Sequence, residues 1–178
     1  MRFKHALMAG VLLAAGPALA QEDAETDDAS NAVATPAPCQ GEIYRAFDFW
    51  LGDWTVTAPG GQLAGTNSIT SEEDGCLIVE RWSGAQGSTG QSYNFYDPGM
   101  KKWRQLWVSP TVVIDYSGGL NQRGQMVLEG TIAYSRGQTF PFRGEWTPND
   151  DGSVRQHFEQ FNPETSEWDE WFTGIYRK

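Results

Sequence analysis

The regular spacing of turn residues most constrains how this chain can fold. After residue 50, short segments rich in aromatic and β-branched residues recur about every 10 to 12 residues. Pro59–Gly61, Glu73–Gly75, Asp97–Gly99 and Asn149–Gly152 separate some of them. Glycine accepts positive φ and proline presets its own φ, so these are turn sequences with a physical basis. Because no long helical pattern intervenes, the spacing predicts consecutive antiparallel strands.

We predict an all-β fold of about 8 to 10 strands. A short helix of one or two turns is expected within Glu42–Phe49, ahead of the strands. Strands are expected near Trp54–Ala58, Gly65–Glu72, Cys76–Gly84, Gly90–Tyr96, Lys101–Val108, Thr111–Ser117, Gly124–Ile132, Gln138–Trp146, Ser153–Phe161 and Glu167–Arg177. An antiparallel up-and-down barrel is the expected arrangement, because closing the sheet removes its exposed edges.

Alternation assigns faces to the two strands that flank the turn Asp97–Met100. A four-residue loop there would pair Tyr96 with Lys101 and Asn94 with Trp103. Side chains two residues apart share a face. One face therefore combines amides and aromatic rings: Ser92, Asn94, Tyr96, Trp103, Gln105 and Trp107.

The N-terminal segment has two parts that differ from the rest of the chain. Residues 1–20 combine a basic start, an apolar run and Ala18-Leu-Ala20, which is typical of a cleaved secretory signal peptide. Residues 21–38 are acidic and almost without large apolar side chains, so we predict a disordered linker. The folded domain would then be residues 39–178, exported to the periplasm or secreted, without membrane insertion.

Net charge and the numbers of cysteine and histidine residues limit the partners and cofactors that this protein is expected to bind. The net charge of −10 argues against nucleic acid, which is itself a polyanion. Cys39 and Cys76 are the only cysteines, and in an oxidising compartment they are expected to form a disulfide. A single histidine, His157, remains after the leader, so no metal site and no cofactor are predicted. The sequence leaves the oligomeric state open.

Several blocks resemble a known family. Gly52-Asp-Trp54 ahead of the first strand resembles the G-x-W motif of lipocalins and other calycins. Together with Gly75–Trp82, Asn94–Pro98, Trp103–Trp107 and Gly174–Arg177, it is similar to secreted bacterial lipocalin-like proteins of the DUF1579 type. The resemblance implies a lipocalin-like barrel over residues 39–178. It also implies that Trp54 closes one barrel end, with Arg177 of the last strand packed across the indole.

Glu80 and His157 are the candidate proton-transfer residues. Glu80 shares a face with Ile78 and Trp82, so an inward face would bury its carboxyl group and raise its pKa. The alternative is a glutamate at the barrel rim, paired or solvated. His157 alternates with Arg155 and Glu159, which is either an acid–base row or a solvated outer face with ion pairs.

Three functions remain open. The first is binding of a small hydrophobic or amphipathic molecule in a cavity lined by Glu80, Trp82, Asn94, Trp103, Gln105 and Trp107. The second is a cofactor-free isomerase or decarboxylase that uses Glu80 or His157 for proton transfer. The third is a structural or interaction protein whose barrel is filled by its own aromatic side chains.

Overall fold

The computed structural model describes residues 38–178. The predicted leader and nearly all of the predicted linker lie outside the described residues. Helix α1 spans Glu42–Arg45, and 3₁₀ helices span Asp48–Trp50 and Glu73–Gly75. The strands are β1 Gly52–Thr57, β2 Leu63–Glu72, β3 Leu77–Gly84, β4 Thr89–Asp97, β5 Lys102–Val108, β6 Val112–Leu120, β7 Met126–Tyr134, β8 Thr139–Pro148, β9 Val154–Asn162 and β10 Glu167–Arg177. None of the described helices is long and apolar enough to cross a membrane.

The ten strands form one closed up-and-down barrel. Each strand pairs antiparallel with the next one along the chain, and β1 pairs with β10. The fold prediction is therefore confirmed. The β1–β10 seam is short, since it joins only Thr55–Thr57 to Ile175–Arg177 through three residue pairs.

The loop between β4 and β5 lies one residue later than predicted. Pro98–Lys101 form the connection, and Lys101 adopts a positive φ of 55°. Tyr96 consequently pairs with Trp103, and Asn94 pairs with Gln105. The predicted pairs were wrong by two residues. Because two residues is one full side-chain period, the predicted faces are still correct.

An aromatic cluster fills one end of the barrel, which we call the closed end. The cluster consists of Phe47, Trp50, Trp54, Trp103 and Trp146, all nearly inaccessible to solvent. The rings of Phe47 and Trp146 lie 5.2 Å apart, edge to face, and those of Phe47 and Trp50 stack at 5.0 Å. The indole nitrogens of Trp54 and Trp103 donate to the carbonyls of Trp50 and Ile43, each at 2.9 Å. The two short N-terminal helices therefore close this end.

The cation beside Trp54 is not the predicted one. Trp54 is buried at the closed end, as expected, with 3% of its surface exposed. Arg177 pairs with Thr55 along the seam and points to solvent. The ammonium of Lys178 lies 4.8 Å from the Trp54 ring centroid instead. Strand alternation explains the difference, because Tyr176 takes the inward position and Arg177 must then face outward.

The predicted disulfide is present. Cys39 and Cys76 are bonded, with their Cα atoms 5.0 Å apart and a sequence separation of 37. The bond joins the segment before α1 to the loop between β2 and β3. Nearby, an Arg45 guanidinium nitrogen donates to the Gly75 carbonyl. These contacts fix the N-terminal helices at the closed end.

Candidate functional site

The opposite half of the barrel contains a cavity. Its volume is about 630 Å³, and the loops between β1 and β2, β3 and β4, and β5 and β6 surround its opening. Strand direction orders the lining residues by depth. Near the opening the walls are mainly aromatic, with Trp82, Trp107, Phe158, Trp171 and Phe172. The polar side chains that we call the floor lie two to four residues deeper on the same strands, and on β6 two residues deeper than the lining residue Ile114: Glu80, Gln105, Tyr116, Gln156 and Tyr176.

Glu80 is the acceptor at the centre of the floor. Its side chain is buried, with 3% of the residue exposed. Asn67 donates to Oε1 at 2.7 Å, and the Ser92 hydroxyl donates to Oε2 at 2.6 Å. Among the residues that the structure describes, no arginine, lysine or histidine lines the cavity. Glu80 is therefore a buried carboxyl group held by neutral donors alone.

A directional chain of hydrogen bonds reaches Glu80 from β6. The Tyr116 hydroxyl donates to Gln105, whose amide donates to Asn94. The Asn94 amide donates to the Ser92 hydroxyl at 2.8 Å, and Ser92 donates to Glu80. Since every member donates toward the carboxyl group, the chain orients the floor around an acceptor at Glu80.

A second set of contacts reaches the floor from the opposite wall. The Asn67 amide that donates to Glu80 also lies 3.3 Å from the Tyr176 hydroxyl oxygen, and that hydroxyl donates to Oε1 of the Gln156 side chain. Tyr176 is fully buried, as is Tyr116. Burial raises the pKa of both phenols well above 10, so both remain neutral donors.

Burial also changes the acidity of Glu80. Removal from water raises its pKa from 4.5 to about 7, while the hydrogen bonds from Ser92 and Asn67 act in the opposite direction. Desolvation wins because neither partner carries a charge. The predicted rise is confirmed. The group consequently changes between acid and carboxylate near neutral pH.

Four of the six predicted lining residues reach the cavity and two do not. Glu80, Trp82, Gln105 and Trp107 line it. Asn94 is fully buried beneath the floor and acts through Gln105 and Ser92. Trp103 lies deeper still, in the aromatic cluster, where its ring is 5.7 Å from Phe47. The assignment of Asn94 and Trp103 to the lining was therefore wrong.

Sequence reasoning missed three of the five floor residues. Tyr116, Gln156 and Tyr176 were not among the predicted site residues, and neither were the wall residues Phe158 and Phe172. Alternation along β9 carries the missing signal. Once His157 is placed outside, Gln156 and Phe158 must face inward.

His157 lies on the outer surface, away from Glu80. Its Nδ1 is 2.7 Å from the Thr173 hydroxyl on β10. The same outer face carries ion pairs between Arg143 and Glu159 at 2.6 Å and between Arg155 and Glu145 at 3.6 Å. The row that contains His157 is thus an external network of cross-strand pairs. It is separated from the cavity by the sheet itself.

A glycine makes room for one wall of the cavity. The Trp107 indole covers Gly90 on the neighbouring strand, and a Cβ at Gly90 would lie 2.2 Å from Cζ2 of that ring. Any larger residue at position 90 would push the indole toward the cavity. The absence of a side chain at position 90 therefore helps set the cavity width.

The chain matches no protein-family model and no curated protein. The likeness to lipocalin-like proteins accordingly rests on the motifs of this sequence.

Proposed function

We propose that this protein is an exported lipocalin-like barrel of the DUF1579 kind that binds one small amphipathic molecule. One observation carries the proposal: the cavity combines aromatic walls with a polar floor. An apolar ligand body would pack against Trp82, Trp107 and Phe172, while its polar group would contact the floor. The Cys39–Cys76 bond supports export, because disulfides persist in oxidising compartments.

The cavity has a suitable size for this role. Ligand pockets usually enclose about 300–1,000 Å³, and this cavity encloses about 630 Å³. Aromatic rings fill the closed end, where Phe47 and Trp50 are fully buried, and Phe142 packs against Phe158 beside the cavity at 5.6 Å. A purely structural barrel would not need the remaining cavity, because unfilled volume lowers stability.

A pair of neighbouring residues allows a controlled test. Ile114 lines the cavity, and Val113 beside it on β6 points to solvent with 40% exposure. Wild-type protein should bind N-phenyl-1-naphthylamine, a neutral apolar fluorophore, with one-to-one saturation. Ile114→Trp should weaken the fluorescence increase by narrowing the cavity, whereas Val113→Trp should preserve it. Equal binding by both variants would place the fluorophore elsewhere and contradict the proposal.

Glu80 supports a second candidate function, a cofactor-free isomerase. A carboxyl group with a pKa of about 7 inside a cavity suits proton transfer at neutral pH. Such an enzyme would exchange the hydrogens beside the carbonyl of a bound amphipathic ketone. Deuterium incorporation into 2-nonanone in D₂O, followed by NMR, tests this. Exchange must exceed the buffer rate and disappear in Glu80→Gln. Exchange at the buffer rate for both proteins would count against proton abstraction from this class of ketone.

A further inference from the structure

From the floor geometry we infer that the ligand is an organic cation: a protonated amine on an apolar body, with its ammonium group on Glu80. This inference rests on the proposed binding function and specifies its ligand class. It goes beyond amphipathic character, because it fixes the sign of the charge.

The charge balance of the cavity favours a cationic ligand. Within residues 38–178, Glu80 is the only Asp, Glu, Lys, Arg or His side chain that lines the cavity. The titratable groups that face Glu80 from the other strands are the phenols of Tyr116 and Tyr176, which remain neutral. A ligand anion would meet a carboxyl group without a compensating cation. A ligand cation would supply the counter-charge that the buried carboxylate lacks.

The remaining hydrogen-bonding capacity of Glu80 suits a ligand group that only donates hydrogen bonds. Each of its two oxygens accepts one bond within the protein, from Asn67 and from Ser92. A carboxylate offers about four lone-pair sites, so about two remain for a ligand. An ammonium group carries only donors and no acceptor. Its hydrogens complement the acceptor sites left at the floor.

The aromatic rings between the cavity opening and the floor also favour a cation. Trp82 and Phe172 pack edge to face with their centroids 6.3 Å apart, and Trp107 stands on the same wall as Ser92, its register partner. Aromatic faces attract cations through their quadrupole, most strongly for tryptophan. The protein's net charge of −10 further favours the approach of a positive ligand.

Three probes with one tail separate the charge from the apolar body. n-Nonylamine, 1-nonanol and nonanoate would each be titrated into the full domain at pH 8 by calorimetry, below their aggregation concentrations. We expect one-to-one binding with the amine about tenfold or more tighter than the alcohol, since charge-assisted bonds are the stronger ones. Nonanoate should bind weakest. Alcohol or nonanoate binding as tightly as the amine would overturn the inference.

Substitutions locate the preference. Glu80→Gln keeps the shape of the side chain and should lower amine affinity about tenfold or more, while changing 1-nonanol affinity by less than about threefold. Glu129→Gln removes the same charge from the exposed outer face of β7 and should leave both affinities unchanged. An equal loss in both variants would indicate general surface attraction and overturn the inference.

The pH response of the wild-type protein gives an independent readout if Glu80→Gln does not fold. With a Glu80 pKa of about 7, amine affinity should fall about tenfold from pH 8 to pH 6, because the carboxyl group must lose its proton to pair. Alcohol affinity should not follow this change, and a flat amine profile would contradict the assignment. Binding of none of the three probes would count against the proposed function itself. Binding without preference for the amine would overturn only the present inference.

Discussion

Replacing Glu80 by glutamine should change how stability depends on pH. The folded protein holds the Glu80 proton with a pKa of about 7, compared with 4.5 for an ordinary glutamate. In the interval between these values the native state binds more protons than the unfolded chain. The stabilisation from this difference is complete below about pH 4.5 and is lost as the pH rises through about 7.

The magnitude follows from the size of the shift. A change from 4.5 to about 7 corresponds to about 3 kcal/mol, since one pH unit is equivalent to about 1.4 kcal/mol. Solvent screening does not reduce this free energy, because Glu80 is only 3% exposed. Most of the loss should occur between pH 5 and pH 8. Glu80→Gln has no proton to release in this interval. From pH 5 to pH 8, its free energy of unfolding should therefore rise relative to that of the wild type by about 2 to 3 kcal/mol.

Urea unfolding of both proteins, followed by far-ultraviolet circular dichroism from pH 5 to pH 8, measures this difference. Groups shared by the two proteins cancel in the comparison. Glu159→Gln serves as a matched control: the hydrogen bond from Arg143 lowers the pKa of Glu159 below 4.5, so its stabilisation is lost only below the range measured, and this variant should stay parallel to the wild type from pH 5 to pH 8. Parallel curves for wild type and Glu80→Gln would refute the reasoning, since Glu80 would then ionise like an exposed glutamate.

Three further variants test other parts of the structure. Replacing both Cys39 and Cys76 by serine should lower the free energy of unfolding by about 3–4 kcal/mol, and a urea curve that does not move would contradict this. Gly90→Ala should cost about 1–3 kcal/mol and weaken N-phenyl-1-naphthylamine binding, because the added methyl group forces the Trp107 indole inward; unchanged fluorescence titration would count against the tight contact. Gln105→Leu should cost about 1–3 kcal/mol in thermal unfolding, because it leaves the buried hydroxyl and amide on either side without partners; full stability would show that these groups find other partners.

The strand order was predictable because it depends on local signals. Turn sequences such as Asp97–Gly99 end one strand and begin the next, and closure removes the edges of the sheet. Face assignment was also predictable, since it needs only the period of two. It survived even the loop error around Lys101, which displaced the pairing by a whole period.

Depth along the barrel was not predictable from the same signals. Trp103 and Trp107 share a strand and a face, yet Trp103 belongs to the aromatic cluster and Trp107 to the cavity wall. The difference depends on where the N-terminal helices enter the barrel. The contact that fixes this position joins Ile43 to Trp103, which are 60 positions apart in the sequence. The presence of Lys178 instead of Arg177 beside Trp54 has a different origin, because alternation along β10 turns Tyr176 inward and Arg177 outward.

The short seam between the first and last strands has a consequence for the order of folding. Thr55 and Arg177 are neighbours in space but lie at the two extremes of the strand region. Contacts of such large separation form late, because their loop entropy must be overcome first. A nascent chain that still lacks its final residues would therefore have two unpaired margins. Removing the last strand from the C-terminus should convert a barrel without free strand edges into an open sheet that is prone to edge-to-edge aggregation.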